Sequence, residues 1–140
     1  MVYVDTSVLV ALCTNEAKTA DVIKWYGACT AELVSAAWCV TEFGSAMGLK
    51  QRTRQLTQIQ AENAWSQFER VCGSDLRLLP VESTTFHQAA VTSMDAATGL
   101  RAGDALHLAC AMQARSQWIA TLDAVMVKNA KRFMLKPVAI

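Results

Sequence analysis

The sequence predicts an α/β fold in which helices cover a central, mostly parallel sheet of four to five strands. Short apolar runs alternate with longer stretches of helical character, which is the order of elements in α/β proteins. Most of these runs lack the polar alternation of a half-exposed strand, so they are typical of strands buried on both faces. The 140 residues fit one domain of roughly 150 residues, and we expect a single domain over residues 1–140.

Each predicted element is defined by its own run of residues. The strands are expected at Val2 to Val4, Leu33 to Ser35, Leu76 to Val81, Trp118 to Thr121 and, as a fifth, Pro137 to Ile140. The helices are expected at about Val8 to Cys13, Ala17 to Cys29, Ala36 to Lys50, Thr57 to Cys72, Thr84 to Ala97, Ala102 to Ala114 and Ala124 to Arg132. Ser35 and Ser83 directly precede two of these helices and are predicted to be their N-cap residues.

Composition and charge argue against several classes of protein. Thirteen lysines and arginines against twelve acids leave a formal charge of +1, so there is no overall basic field, although a local site could still bind nucleic acid. The longest apolar runs are far shorter than the ~18 residues of a membrane-spanning helix, and no signal-peptide pattern opens the chain. We therefore expect a cytoplasmic protein with no membrane partner.

The cysteines agree with that expectation. Five cysteines are present, an odd number, and they form no C-x-x-C pair, so we interpret them as reduced core residues. Only His87 and His107 could complete a zinc site, and neither has a short ligand spacing to a cysteine. A structural zinc site is therefore not expected.

Two aspartates follow predicted strands. Asp5 comes directly after Val2 to Val4, and Asp123 follows the strand expected at Trp118 to Thr121. In an open parallel sheet, ligands bind beyond the carboxyl ends of the strands, so chemistry is expected at these positions. A strand-end aspartate also commonly caps the next helix, and for either residue alone capping is the more ordinary interpretation.

Two further acids lie in predicted helices. Glu42 shares with Cys39 and Phe43 a helix face that is otherwise apolar. A glutamate there must pair with a cation, be protonated or lie at the rim of a cleft, because an unpaired buried carboxylate is unfavourable. Asp104 follows Gly103 in a first helical turn, where the helix dipole stabilises a carboxylate by about 0.3–1 kcal/mol. An ordinary first-turn acid is the alternative for Asp104.

The four acids together indicate a cation site, on the assumption that they converge at one edge of the sheet. At separations of about 6 Å, each pair would repel by roughly 3 kcal/mol at an effective dielectric constant near 20. The summed repulsion, of order 15 kcal/mol, rivals the whole stability of a domain, about 5–15 kcal/mol. Such carboxylates must be protonated or hold a cation. Oxygen ligands without His or Cys select Mg²⁺ or Mn²⁺, which suit the hydrolysis of phosphate esters.

The ordered set of these residues resembles the PIN-domain ribonucleases. The resemblance rests on Val4-Asp5-Thr6-Ser7, on Glu42 within Val40-Thr41-Glu42-Phe43, on Asp104 within Ala102-Gly103-Asp104-Ala105-Leu106-His107-Leu108-Ala109, and on Thr121-Leu122-Asp123. It spans residues 5 to 123, and with the chain length it looks like the small bacterial VapC-type toxins of toxin–antitoxin pairs. After Asp123 the sequence departs from the family pattern, because the expected aromatic or basic residue does not follow.

The resemblance implies a PIN-like three-layer α/β/α fold, a site and partners. Asp5, Glu42, Asp104 and Asp123 would be the catalytic acids that bind Mg²⁺ or Mn²⁺, and Thr6 or Thr121 would help to position water or phosphate. The reaction would be hydrolysis of RNA that leaves a 5′-phosphate and a 3′-hydroxyl. The partners would be a second copy of the chain and a small antitoxin whose C-terminal segment enters the active site. A PIN-domain protein of RNA processing or RNA binding outside toxin–antitoxin systems is the alternative.

Basic residues near the predicted site are candidates for contacts with RNA. Lys50 and Arg52 follow the Glu42 helix, and Lys128 follows Asp123. Because cations also favour helix C-termini, solvated helix ends are the more ordinary explanation. His107 lies three residues after Asp104 and could face the same cleft, although its apolar neighbours favour a structural, hydrogen-bonded histidine.

Two other phosphate-handling classes fit the sequence less well. A phosphatase with a strand-end aspartate as nucleophile would usually carry a second aspartate two residues later, where this sequence has Ser7. A phospho-accepting receiver module needs an acidic pair after its first strand and a lysine at its last. Asp5 stands alone, and the segment from Trp118 to Leu122 contains no lysine.

Overall fold

The computed structural model describes all residues from 1 to 140. Five strands form one sheet: β1 (Val2–Val4), β2 (Leu33–Ala36), β3 (Leu76–Leu79), β4 (Trp118–Ala120) and β5 (Lys136–Pro137). Their order is β3-β2-β1-β4-β5, and every neighbouring pair is parallel. All five overlap the predicted apolar runs, so the predicted α/β class with a parallel sheet is confirmed.

Seven α-helices surround the sheet. They are α1 (Thr6–Cys13), α2 (Thr19–Ala28), α3 (Trp38–Arg52), α4 (Gln58–Ser74), α5 (Ser83–Met94), α6 (Ala102–Gln113) and α7 (Ala124–Ala130). The predicted helix that continued to Ala97 ends earlier, because the Asp95 carboxylate accepts the Ala97 N–H over 3.0 Å and starts a separate 3-10 turn. None of the helices combines the length and the apolar character that a bilayer crossing requires.

The two predicted N-cap serines do not cap helices. Ser35 lies inside β2 and pairs with Leu78 of β3, and Ala37 is the residue before α3. Ser83 is the first residue of α5, and Glu82 precedes it without a side-chain cap. For Ser35 the prediction was wrong because strand pairing with β3 extends one residue further than the apolar run. For Ser83 the helix begins one residue earlier than the periodic pattern indicated.

The sheet separates two apolar cores. Side chains alternate along a strand, so Val2 and Val4 face one core whereas Tyr3 faces the other. Residues of α1 to α4 pack in the first core, and residues of α5 to α7 pack in the second. The resulting three layers are the α/β/α arrangement, and burial of β1 on both faces explains its unbroken apolar run.

The central position of β1 decides which polar residues meet. Val4 pairs with Ala120 of β4, and the N–H of Asp5 donates to the carbonyl of Ala120 over 2.9 Å. The carboxyl ends of β1 and β4 therefore lie side by side. Residues that follow these two strands are neighbours in space although more than one hundred positions separate them in the sequence.

All five cysteines are free, and three of them are buried. Burial raises the pKa of the Cys110 thiol to about 11 and the pKa of the Cys13 and Cys39 thiols to about 12. Cys29 and Cys72 are partly exposed. Because the thiolate is the reactive form, the three buried thiols should be inert in the folded protein.

We expect a thiol reagent such as Ellman's reagent at pH 8 to modify Cys29 first in the native protein. Cys13, Cys39 and Cys110 should react only after unfolding in guanidinium, which a thiol count before and after unfolding measures. Cys29→Ser should remove the fast phase and serves as the control. Fast reaction of any of the three buried thiols in the folded state would contradict this expectation.

Candidate active site at the carboxyl edge of the sheet

The four predicted acids line one cleft of about 820 Å³. Asp5 lies between β1 and α1, Glu42 in α3, Asp104 in the first turn of α6, and Asp123 directly before α7. Glu16 is a fifth carboxylate in the lining, which contains only two basic side chains, those of Lys50 and Arg101. The structure thus brings together all four acids singled out from the sequence and makes the cleft acidic.

The carboxylate of Asp5 is buried and held by two hydroxyl groups. Ser7 and Thr121 donate to its Oδ2 over 2.5 and 2.9 Å. Each hydroxyl also accepts a backbone N–H, Ser7 that of Leu122 and Thr121 that of Asp123. Both hydroxyl protons are therefore directed to Asp5. Its side chain makes no bond that caps α1, so the capping interpretation does not describe this residue.

Glu42 is held by two side chains at the same oxygen. Thr6 Oγ1 donates to Glu42 Oε2 over 2.6 Å, and His107 Nε2 also bonds to Oε2. Burial alone raises the pKa of Glu42, but the bond and charge of His107 and the bond of Thr6 outweigh it, so the pKa lies below its ordinary value. Of the states that the sequence left open, an ionised carboxylate beside a basic group describes Glu42.

His107 is buried against two of the site acids. Its Nδ1 lies 2.8 Å from the Tyr3 hydroxyl, and its Nε2 lies 3.5 Å from Asp5 Oδ1 and bonds to Glu42. Burial lowers the pKa of the ring, but the Glu42 bond and the nearby carboxylates more than offset this, and the pKa is raised. The residue is both a hydrogen-bonded core histidine and part of the site. Its spacing of one helical turn from Asp104 was the signal available in the sequence.

Asp104 and Asp123 lie at helix starts, and both accept backbone N–H groups. Asp123 Oδ1 accepts the N–H of Met126 over 2.9 Å, and Asp104 Oδ2 accepts the N–H of Arg101 over 3.4 Å. Burial raises the pKa of Asp104, and the negative charges around it, that of Asp123 first, raise it further. For Asp123 the capping interpretation, and for Asp104 the interpretation as a first-turn acid, is compatible with a place in the cleft.

We expect Asp104→Asn to stabilise the metal-free protein at pH 7. Because the pKa of Asp104 is raised in the folded state, its ionised form opposes folding at neutral pH, and this opposition fades as the pH falls through the folded pKa. The gain should be below about 1 kcal/mol, since the group is partly solvated, and should shrink as the pH approaches ~4.

Urea titrations of both proteins at pH 7 and at about pH 4.5 measure this difference in the free energy of unfolding. Asp21→Asn is the matched control, because Asp21 is exposed and pairs with Lys18, and neither residue lines the cleft. It should show no gain at either pH. A loss of stability in Asp104→Asn at pH 7 would contradict the expected sign.

The residues singled out for phosphate or RNA contacts lie in different places. The hydroxyls of Thr6 and Thr121 orient site carboxylates, and their part in positioning water or phosphate stays a prediction. Lys50 lines the cleft, with its Nζ 2.7 Å from Glu16. Arg52 and Lys128 are exposed and lie outside the cleft lining.

Sequence reasoning did not single out Arg101 for the site. It lines the cleft as the residue before α6 and forms no salt bridge. Of the two basic residues in the lining, Lys50 forms a salt bridge with Glu16, and Arg101 forms none. Its position beside Asp104 was visible in the sequence, but an arginine before a helix carries no signal of its own.

The donor set fits a hard divalent cation. Asp5, Glu42 and His107 each offer one ligand atom, and these atoms lie within 4.8 Å of one another. Nε2 of His107 bonds to Glu42 and His107 does not line the cleft, whereas all four acids do. Oxygen-rich sites of this kind suit Mg²⁺ or Mn²⁺.

The family of the chain follows from its sequence as a whole. The sequence model of the PIN domain matches residues 2–132, which include all seven α-helices and four of the five strands, and the chain belongs to the PIN domain family. No curated protein matches the sequence significantly. The family match confirms the resemblance found in the ordered acids.

Several solved structures share this fold. VapC20 of Mycobacterium tuberculosis, a sarcin-ricin loop cleaving toxin, has a TM-score of 0.73 at 15% identity, and the match covers 91% of this chain and 94% of that chain. FitAcB from Neisseria gonorrhoeae has a TM-score of 0.67 at 17% identity, with 99% and 97% covered. VapBC2 from Rickettsia felis, bound to a DNA fragment from its promoter, has a TM-score of 0.63 at 11% identity, with 99% and 100% covered. These likenesses agree with the PIN-like three-layer fold.

Proposed function

We propose that this PIN domain is a metal-dependent endoribonuclease and the toxin component of a type II toxin–antitoxin system. The observation that carries the proposal is the presence of Asp5, Glu42, Asp104 and Asp123 in one cleft of a PIN-family chain. The fold likeness to VapC20, a sarcin-ricin loop cleaving toxin, supports it. The family match over residues 2–132 supports a single PIN-like domain over residues 1–140.

The chain contributes a set of oriented carboxylates. Asp5, Glu42, Asp104 and Asp123 would hold Mg²⁺ or Mn²⁺, and bound ions of this kind polarise a phosphate oxygen and make hydroxide available near neutral pH. Ser7 and Thr121 fix the carboxylate of Asp5, because each hydroxyl accepts a backbone N–H and donates its own proton to Asp5. Thr6 and Thr121 are the hydroxyls proposed to position water or phosphate as well.

The proposed substrate is RNA. Lys50 in the cleft, with Arg52 and Lys128 outside it, are the proposed contacts to phosphate groups. Such contacts weaken with salt, because each one releases counterions from the RNA. Since the substrate is cellular RNA, the proposed place of action is the cytoplasm.

The proposed partners are a small antitoxin protein and a second copy of the chain. Exposed apolar side chains on several helices are surface that such interfaces would bury, among them Ile23, Ile59, Val91 and Met94. The likeness to VapBC2 and FitAcB supports a protein partner for this fold.

Cleavage of total cellular RNA by purified protein, freed of any co-purifying partner, tests the proposal. We expect discrete fragments with 5′-phosphates in Mg²⁺ or Mn²⁺ and none with chelator. Expression of the chain alone should arrest growth of the host, which distinguishes a toxin from a PIN-domain protein of RNA processing. Cleavage that persists undiminished in chelator would contradict metal dependence, and absence of both cleavage and calorimetric metal binding would refute the proposal.

A further inference from the structure

A buried chain of hydrogen bonds runs from the backbone of β2 to the carboxylate of Glu42. The N–H of Ala36, the last residue of β2, donates to the Tyr3 hydroxyl over 3.1 Å. The same hydroxyl lies 2.8 Å from Nδ1 of His107, whose Nε2 bonds to Glu42. Tyr3 is 0% exposed and His107 is 1% exposed, so water does not compete for these bonds.

The Ala36 N–H and the Glu42 carboxylate, at the two ends of this chain of hydrogen bonds, set the direction of its protons. A backbone N–H can only donate, so the Tyr3 oxygen accepts there and its own proton remains to be donated. In a neutral imidazole one nitrogen donates and the other accepts. The ionised carboxylate of Glu42 can only accept, so Nε2 of a neutral His107 is the donor and Nδ1 accepts the Tyr3 proton. The ring proton is therefore on Nε2, which bonds to Glu42 and lies 3.1 Å from the Thr6 hydroxyl oxygen.

The bond from His107 restrains a side chain that has few other restraints. Glu42 has a flexible side chain that is 26% exposed at the cleft. Thr6 is the other group that donates to its Oε2. Because Tyr3 belongs to β1 and His107 to α6, the chain of bonds ties the Glu42 carboxylate on α3 to the middle of the sheet.

We infer that Tyr3 and His107 are positioning residues for the proposed nuclease reaction. Tyr3 at Nδ1 and Glu42 at Nε2 together fix the tautomer of His107, and His107 holds the Glu42 carboxylate in position to accept the cation. The effect on cleavage rests on the proposed function, whereas the tautomer does not depend on it. Partners of this kind behind a metal-binding side chain typically change metal affinity or activity by about 10–100-fold.

The first test measures the tautomer in metal-free protein by NMR. The chain has two histidines, and the other one, His87, is exposed and outside the cleft, so ¹⁵N-histidine labelling of His87→Gln leaves only the ring signals of His107. At a pH where the ring is neutral, we expect the proton on Nε2 and none on Nδ1. Adding Tyr3→Phe should introduce the other tautomer. A proton on Nδ1 in the protein that retains Tyr3 would overturn the inference.

The second test measures cleavage and metal dependence. Tyr3→Phe removes only a hydroxyl, and we expect kcat to fall and the Mn²⁺ concentration for half-maximal activity to rise, each by about 10-fold, with KM for RNA unchanged. His107→Gln keeps an N–H donor near the place of Nε2 and should retain more activity than His107→Leu. A mere packing role predicts the opposite order, because a buried amide without all its partners is less favourable than leucine.

Tyr26→Phe is the matched control for the lost hydroxyl. The Tyr26 hydroxyl bonds to Asp75, and neither residue lines the cleft, so its kinetics should equal those of the unsubstituted protein. If Tyr3→Phe does not fold, the comparison of cleavage activity between His107→Gln and His107→Leu tests the inference instead. Unchanged metal dependence in folded Tyr3→Phe, or equal activity of His107→Gln and His107→Leu, would overturn the inference. If the unsubstituted protein cleaves no RNA, the proposed function fails while the tautomer measurement still decides this inference.

Discussion

Asp5→Asn is expected to abolish metal-dependent RNA cleavage in a protein that remains folded. Asp5 is the most buried of the four acids and directly follows the central strand, where Ser7 and Thr121 hold its carboxylate. Loss of one charged ligand should weaken charge stabilisation in the transition state by about 3 kcal/mol, which corresponds to roughly 100-fold in rate. Initial cleavage rates at saturating Mn²⁺ measure the effect, and we expect a loss of at least ~100-fold.

The stability of Asp5→Asn should change little. The asparagine oxygen can accept both hydroxyl protons that Ser7 and Thr121 donate to Oδ2, and the loss of a negative charge relieves repulsion in the acidic cleft. The thermal unfolding temperature of the metal-free variant should therefore equal or exceed that of the unsubstituted protein. Asp21→Asn, an exposed substitution outside the cleft, should leave both cleavage and stability unchanged. An unchanged cleavage rate in Asp5→Asn would remove Asp5 from the site.

Gly103→Ala is expected to impair the site through the addition of one methyl group. A Cβ on Gly103 would lie 2.7 Å from Glu42 Oε1 and 3.7 Å from Trp38 Nε1. A carbon and an oxygen that are not bonded do not approach so closely, so the Glu42 carboxylate must shift from the position in which Thr6 and His107 hold it. We expect cleavage to fall by about 10–100-fold, the range typical of a displaced metal-binding side chain.

The stability of Gly103→Ala should nevertheless be close to that of the unsubstituted protein. The displaced atom is the end of a flexible side chain, and alanine favours a helix over glycine by up to about 1 kcal/mol. Gly73→Ala in α4 is the matched control, because a Cβ there meets nothing within 4 Å. It should gain helix stability and keep full activity. Urea titrations and initial rates separate the two effects, and full cleavage activity in Gly103→Ala would show that the position of Glu42 is not critical.

The strands and the class of fold were predictable because their signal is local. Val2 to Val4 and Trp118 to Ala120 are apolar at every position, which identifies strands buried on both faces before any partner is known. The ends of elements were less predictable. Ala36 extends β2 by one residue because it pairs with Leu79 of β3. A serine at position 35 has the same cap propensity whether or not a neighbouring strand continues the pairing.

The meeting of the four acids in one cleft was predictable because a parallel sheet brings together the residues that follow its strands. Asp5 and Asp123 follow β1 and β4, which are neighbours in the sheet, and Glu42 interrupts an apolar helix face. The residues that hold these acids were not predictable in the same way. Tyr3 lies within an apolar strand and is indistinguishable from an ordinary core residue, whereas for His107, among apolar helix residues, the spacing of one turn from Asp104 was the signal.

The sequence by itself determined the alternation of strands and helices, the parallel sheet and the identity of the four acids, because apolar periodicity and carboxylates in apolar surroundings are properties of short segments. Only the tertiary structure decided that the Tyr3 hydroxyl bonds to His107 and that Gly103 lies against Glu42. Those contacts join residues far apart in the chain, and whether a hydrogen bond forms depends on differences of a few tenths of an ångström in the donor–acceptor distance. Distances of that kind are set by the packing of helices on the sheet, and no local pattern of residue types contains them.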